Sequence, residues 1–375
     1  MEGLIKMANN DQMKKLVIIL GAVVVGIIVI FGLGSMMGGK STSKLDYKEL
    51  EEKIKEVGQE YFEENKSLLP KNDGESKEVT VDDLVKLEMM SPIEDLLKED
   101  ATCTGKAVVK NVSGKYSYTG LIDCGDKYVT SNLYQKIIDD NPVVTSGNGL
   151  YSQNGEFVFR GENLNNYVEF AGSKWLILKV DKDNDIKLLQ IDREGERVPF
   201  DDRYNSDKKS TVGKNDFNIS RIKDSLNEIY NSDKFSEEEK ALIVPKQLCI
   251  GARSEEDITN DGTIECSTLT SENVYVGLIQ TNEYLNASLD SACKTIDDSE
   301  CQNYNYLASN SSSSSWWTIT PVKENTYQAY YIESYGRIEA KNCSNSAAIR
   351  PVIYISKDVM FDSGKGTEEE PYIVK

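Results

Sequence analysis

Histidine is absent from all 375 residues. That removes every Ser-His-Asp or Cys-His arrangement and every histidine-ligated metal site. The commonest general base goes with it, so catalysis is not the first expectation. An excess of positive charge is also missing: 43 Lys and Arg stand against 62 Asp and Glu, a formal net charge of −19. A polyanion repels nucleic acid, so no nucleic-acid partner is expected, and the same balance keeps an exposed protein soluble. No C-x-x-C pair occurs, which argues against zinc ribbons and thioredoxin-like redox chemistry. Neither a Walker loop nor a dinucleotide fingerprint is present. Asp181, Asp183 and Asp185 imitate the opening of a calcium loop, but Ile186 and Asp192 stand where the loop needs glycine and glutamate. The segment reads instead as a solvated turn between strands. No metal and no cofactor is expected.

What is present begins with an apolar run, LVIILGAVVVGIIVIFGLGSMM, at residues 16–37. It carries no charge and is long enough to cross a hydrocarbon core as a helix. The following GSMMGGKSTSK is a poor cleavage site, so the run predicts an uncleaved transmembrane anchor rather than a signal peptide. Lysines flank it on both sides, at 6, 14 and 15 and at 40, 44 and 48. Lys14-Lys15 directly abuts the span, which favours a cytosolic tail over 1–15 and a C-terminal part outside the cell.

Seven cysteines follow the anchor. Spacing favours three local pairs: Cys103 with Cys124, Cys249 with Cys266, and Cys293 with Cys301, although six cysteines admit other connectivities. Three staples imply an exported domain. Cys343 is left over and reads as a buried thiol, with re-pairing or an intermolecular bond as the alternatives.

The chain predicts an α+β protein of several parts. LDYKELEEKIKEVGQEYFEENKSLL places Leu50, Ile54, Val57 and Phe62 at near-helical spacing. Thr80 to Asp83 is a capping-box candidate before a second short helix. The segment between Cys103 and Cys124 alternates about Ser113-Gly114 as a hairpin does. Residues 45–138 thus form one small helix-plus-hairpin module, and Asn141-Pro142 with TSGNG marks the next boundary. Strands are predicted at EFVFR, NYVEF, KWLILKV, DIKLLQI, VYVGLI, IRPVIYIS and EPYIVK, with turns at Asn154-Gly155, Gly172-Ser173 and Asp183-Asn184. Helices are predicted at DFNISRIKDSLNEIY, after Ser236, and at TNEYLNA.

Two resemblances rest on these stretches. The apolar N-terminal helix, the amphipathic helix, SLLPKNDGESKEVTVDDLVKLEMM and the cystine-closed hairpin resemble pilin-like surface proteins of Firmicutes-type bacteria. The Phe-Thr-x-x-Glu start of a mature pilin is missing, so an anchored stalk is the expectation for 45–138. FRGENLNNYVEFAGSKWLILKVD, YVGLIQTNEYLNA, WWTITP and AAIRPVIYIS, with the closing GKGTEEEPYIV, resemble bacterial domains of the C-type-lectin-like fold. That fold is shared by variable proteins of diversity-generating retroelements and by the formylglycine-generating-enzyme group. The resemblance implies a C-type-lectin-like mixed α+β domain over 141–375, with ligand contacts in the stretch before the final R-P-V strand.

That stretch has the chemistry of a paratope, rigid rings beside adaptable amides. Trp317, Tyr327, Tyr330, Tyr331, Glu333, Tyr335, Arg337, Asn342 and Asn345 are the candidate contacts. Trp316 and Trp317 also suit a core, and if the segment is a strand only one ring of Tyr330-Tyr331 points inward. Arg337 and Glu333 suit an exposed ion pair as well. The expected function is that of a membrane-anchored cell-surface adhesion or binding protein recognising a glycan or protein without catalysis. Its rivals are a pilin-like envelope subunit and, since Cys343 has no cysteine near it, less readily a formylglycine-type oxidase.

Overall fold

The computed structural model describes residues 44–375 except 113, 294, 297–300, 302–304 and 310–313. The expected tail and anchor, 1–15 and 16–37, lie outside the described residues, as does most of the serine run. Among the described residues no helix is long and apolar enough to cross a membrane. The chain divides into two compact units at Val129/Thr130.

In the first unit, Asp46 and Glu49 form a capping box that starts the helix Tyr47–Glu64. Leu50, Ile54, Val57 and Phe62 fall on its buried face. That face lies on a sheet of β1 (Ser76–Thr80), β2 (Thr104–Val112) and β3 (Lys115–Asp123), in the order β1-β2-β3. Helix and sheet approach closely because glycines stand at the contact: a Cβ on Gly120 would meet the Glu51 carbonyl at 2.0 Å. Thr80 caps the helix Val81–Lys86 by accepting from the Asp83 amide. The Cys103–Cys124 bond ties together the open ends of β2 and β3.

The second unit opens with the helix Leu133–Asp140, whose Leu133 and Ile137 join its core. Residues 130–138, which the sequence places in the 45–138 module, pack with the larger unit. One sheet contains β4 (Gly149–Gln153), β5 (Glu156–Arg160), β6 (Tyr167–Phe170), β7 (Ser173–Val180), β8 (Ile186–Gln190), β14 (Val352–Ile355), β15 (Phe361–Ser363) and β16 (Tyr372–Val374). Its main path runs β14-β8-β7-β6-β16-β15, with β5 on β7 and β4 on β5. The other sheet runs β12-β11-β10-β13-β9, from β9 (Glu194–Pro199), β10 (Trp316–Pro321), β11 (Gln328–Ile332), β12 (Ile338–Asn342) and β13 (Ser346–Ile349). Every residue of β8 and of β10 is buried, so both strands are covered on two faces.

The expected turns are in place. Asn154 and Gly155 both take positive φ between β4 and β5, and Asn184 does so between β7 and β8. The helix Glu237–Leu242 starts at Ser236 as expected, and the helix Arg221–Asn231 starts at Ser220, which accepts from the Lys223 amide, later than DFNISRIKDSLNEIY had suggested. VYVGLI is not a strand. Val274 pairs singly with Lys246 and Gly277 with Val352, so the segment is extended without a continuous ladder. All three cystines form as the spacing favoured, and Cys343 is a buried free thiol.

Candidate functional site

The predicted contact residues do not share one surface. Trp317 and Tyr330 are fully buried, and Tyr331 nearly so. The Trp317 indole donates to the Val198 carbonyl at 2.9 Å, and its ring meets Phe200 and Tyr331 edge-on. The Tyr330 hydroxyl donates to the Arg253 carbonyl at 3.1 Å. These rings hold the second sheet together. Strand alternation fails to expose one of Tyr330 and Tyr331 because β11 lies between β10 and β12 with both faces packed.

The remaining candidates split between the two ends of the β11–β12 hairpin. At the turn, the Tyr331 hydroxyl reaches Glu333 at 3.0 Å and Glu339 at 3.3 Å. Glu333 is half-buried, Arg337 is exposed, and Tyr335 is 69% exposed. At the other end, Tyr327 is half-buried under Lys208, whose Nζ lies 4.7 Å from the ring centroid. Asn342 accepts from Gln328 at 3.2 Å, and Asn345 is exposed.

A concavity lies elsewhere in the second unit. It is a cleft of about 450 Å³. Its walls come from the β4–β5 hairpin, the β7–β8 turn, the segment 246–249, the cystine-closed loop 260–266, the helix Thr281–Ala287, and Tyr306 and Tyr354. Amides and charged side chains share the lining: Gln153, Gln280, Asn282 and Asn286 are among the amides, and the Asn286 amide donates to Gln153 Oε1 at 2.8 Å. The Asn282 side chain is buried and its Oδ1 has no partner among the described residues. Gly262 covers it at φ +87°, where a Cβ would stand 3.0 Å from Asn282 Nδ2. Only glycine suits that conformation and that approach.

Two ion pairs lie at or behind the cleft wall. Lys179 meets Glu156 at 2.9 Å. Lys187 contacts Glu283, and both are largely buried. Burial works to raise the Glu283 carboxyl, but the charges of Lys187 and Lys179 prevail and hold it below its ordinary pKa. Burial pushes the neighbouring Tyr354 phenol up to about 12.

At one rim Lys246 Nζ sits among Asp181, Asp183 and Asp185, at 3.1, 3.0 and 2.6 Å. The three carboxylates could converge on a metal ion, since one oxygen from each lies within 4.8 Å of the others. The lysine occupies that position instead. Asp181 also accepts from the Asp183 and Asp185 amides, both at 2.9 Å, which shapes the β7–β8 turn. Burial disfavours the ammonium, but the three carboxylates outweigh it and raise the Lys246 pKa.

A buried clamp holds the cystine-closed wall. Arg253 Nη1 meets Glu265 Oε1 at 3.2 Å, with both side chains fully buried. Its Nη2 donates to the carbonyls of Asp257 and Thr259, at 2.9 and 2.6 Å. Burial raises the Glu265 carboxyl despite the nearby guanidinium. The sequence singles out Asp181, Asp183, Asn154, Cys249 and Cys266 of these walls, but as turns and a cystine and not as ligand contacts. The one available signal was Asn282, Glu283 and Asn286 on the short helix TNEYLNA, polar residues spaced to share a face.

No curated protein and no solved structure matches the chain. Residues 172–357 match a family model described as a domain of unknown function, DUF6273. The match includes the Lys246 cluster, the cystine-closed loop and the helix Thr281–Ala287, and it leaves out β4 and β5. Over those residues the chain is similar to that family.

Proposed function

We propose that this is an exported, membrane-anchored binding protein whose second unit takes a hydroxyl-rich ligand, a glycan, without catalysis. The observation that carries the reading is the cleft. Lys179 and Lys246 on its walls are already held by carboxylates, which leaves the amides of Gln153, Gln280, Asn282 and Asn286, with the exposed Lys182 at the edge, to meet a ligand. Amides bond sugar hydroxyls as both donors and acceptors, and specificity in such a pocket comes from a few placed polar groups. Three cystines support an oxidising location. The apolar run 16–37 supports an anchor, and the C-type-lectin-like resemblance supports ligand recognition.

The full chain, purified in detergent, is probed on a glycan array and hits are measured by calorimetry. Asn286→Ala and Gln153→Ala are expected to weaken binding about tenfold each, the loss of roughly one hydrogen bond to a neutral group. Their unfolding midpoints are expected to match the wild type. Tyr335→Ala, at an exposed residue that does not line the cleft, is expected to bind normally. An array without hits, or binding abolished by Tyr335→Ala but not by the cleft variants, overturns the proposal.

A further inference from the structure

Arg350 carries a charge that no side chain answers. It is fully buried, and its guanidinium lies over the Trp316 ring with Cζ 4.6 Å from the centroid. Nε donates to the Gln190 carbonyl at 3.0 Å. Among the described residues nothing accepts from Nη1 or Nη2. The Trp316 indole N–H is buried and without an acceptor too. Two amino groups and an indole N–H are therefore all donors, and among the described residues no carboxylate accepts from them. The one orphan acceptor on a neighbouring side chain, Gln190 Oε1, is not bonded to them.

An arginine does not escape this by losing its proton. Burial lowers Arg350 to about 10, which leaves it charged at neutral pH. Asp192, the nearest carboxylate to influence it, is exposed to solvent. The phenols of Tyr284 and Tyr306 feel the guanidinium, but burial raises both well above their ordinary pKa, so neither supplies negative charge. Water would satisfy the hydrogen bonds and leave the charge uncompensated. An anion satisfies both.

We propose that Arg350 and Trp316 form a buried binding site for a small monovalent anion of the chloride class. The guanidinium stacks on the indole, with Cζ 4.6 Å from the ring centroid, so the orphan donors belong to two side chains in direct contact. The ion neutralises the guanidinium that opens β14 and so stabilises the folded chain. This site shares no residue with the amide-lined cleft and does not depend on the glycan reading.

The test uses the full chain, refolded with its disulfides intact from chloride-free urea. Unfolding midpoints are compared in sodium chloride, sodium bromide and sodium gluconate at one ionic strength. Gluconate is too large for the site. The expected result is a saturable rise of several degrees in chloride and bromide over gluconate. Arg350→Met is expected to remove that difference, and Trp316→Phe to raise the half-saturating concentration several-fold. Should either variant fail to fold, the wild type still decides, because a crystal grown in bromide is expected to show an anomalous peak against the guanidinium. Equal midpoints in chloride and gluconate, or ordered water without an anomalous peak at Arg350, overturns the proposal.

Discussion

Replacing Lys246 with methionine tests the central electrostatic feature of the cleft rim. The substitution keeps the side chain's bulk and the backbone bonds to Val274, at 3.1 and 2.9 Å, and removes only the ammonium. Asp181, Asp183 and Asp185 are then three like charges around an empty centre. Removing one partner of a fully buried ion pair costs about 3–5 kcal/mol, whereas an exposed pair is worth about 0–1 kcal/mol. Here the Asp181 and Asp185 side chains are 11% and 10% exposed, and Lys246 is 21% exposed. The cluster lies between the limits, so a loss of about 2 kcal/mol is expected. For a unit of this size that lowers the unfolding midpoint by about 6 °C.

Calcium supplies the control. In Lys246→Met the carboxylates are free to take a divalent cation. With a weak Kd of roughly 2 mM, about 10 mM calcium returns about 1 kcal/mol. The wild type, its centre held by the ammonium, is expected not to respond. The dependence on pH follows from the two shifts. Lys246 is raised, so its contribution is complete below the ordinary lysine pKa and is lost as pH rises through the raised value. Asp183 is lowered by its bond to Lys246, so its contribution is present above the ordinary aspartate pKa and is lost as pH falls through the lowered one. The variant is expected to lose both dependences. A midpoint within about 1 °C of wild type would refute the assigned strength of the cluster. Equal calcium effects on both proteins would refute the lysine as its occupant.

Tyr330→Ala is expected to cost about 4 kcal/mol by urea denaturation, the loss of a buried ring, while Tyr335→Ala stays within about 0.5 kcal/mol. Burial pushes the Cys343 thiol well above its ordinary pKa, so the folded protein is expected to resist thiol reagents and to release one reactive thiol in urea. Replacing Cys249 and Cys266 together by serine is expected to remove about 3 kcal/mol, as judged by denaturation, and to weaken whatever the cleft binds.

Local features were legible because their causes are local. Thr80 and Ser236, the caps expected from sequence, bond residues three positions away, and Asp46 and Ser220 do the same by the same local geometry. The cystines close short loops, and Asn154-Gly155 turns a hairpin by its own backbone preference. VYVGLI misled because its apolar, β-branched composition suits a strand, yet no neighbour offers it a continuous edge. The cleft as a whole was not legible, although single pieces of its walls were. Its walls come from segments spread between Gln153 and Tyr354, and no one of them carries the signature alone.

Sequence by itself determined what chemistry is missing, which cysteines lie close enough to pair, and where strands turn. Only the tertiary structure decided which aromatic rings face water. Strand alternation sorts residues into inside and outside when one face of a sheet is wet, and β10 and β11 lie where neither face is. It also decided what fills the triad of aspartates. The answer is a lysine 63 residues beyond Asp183, brought there by packing and held there because opposite charges at close range stabilise one another most where water is scarce.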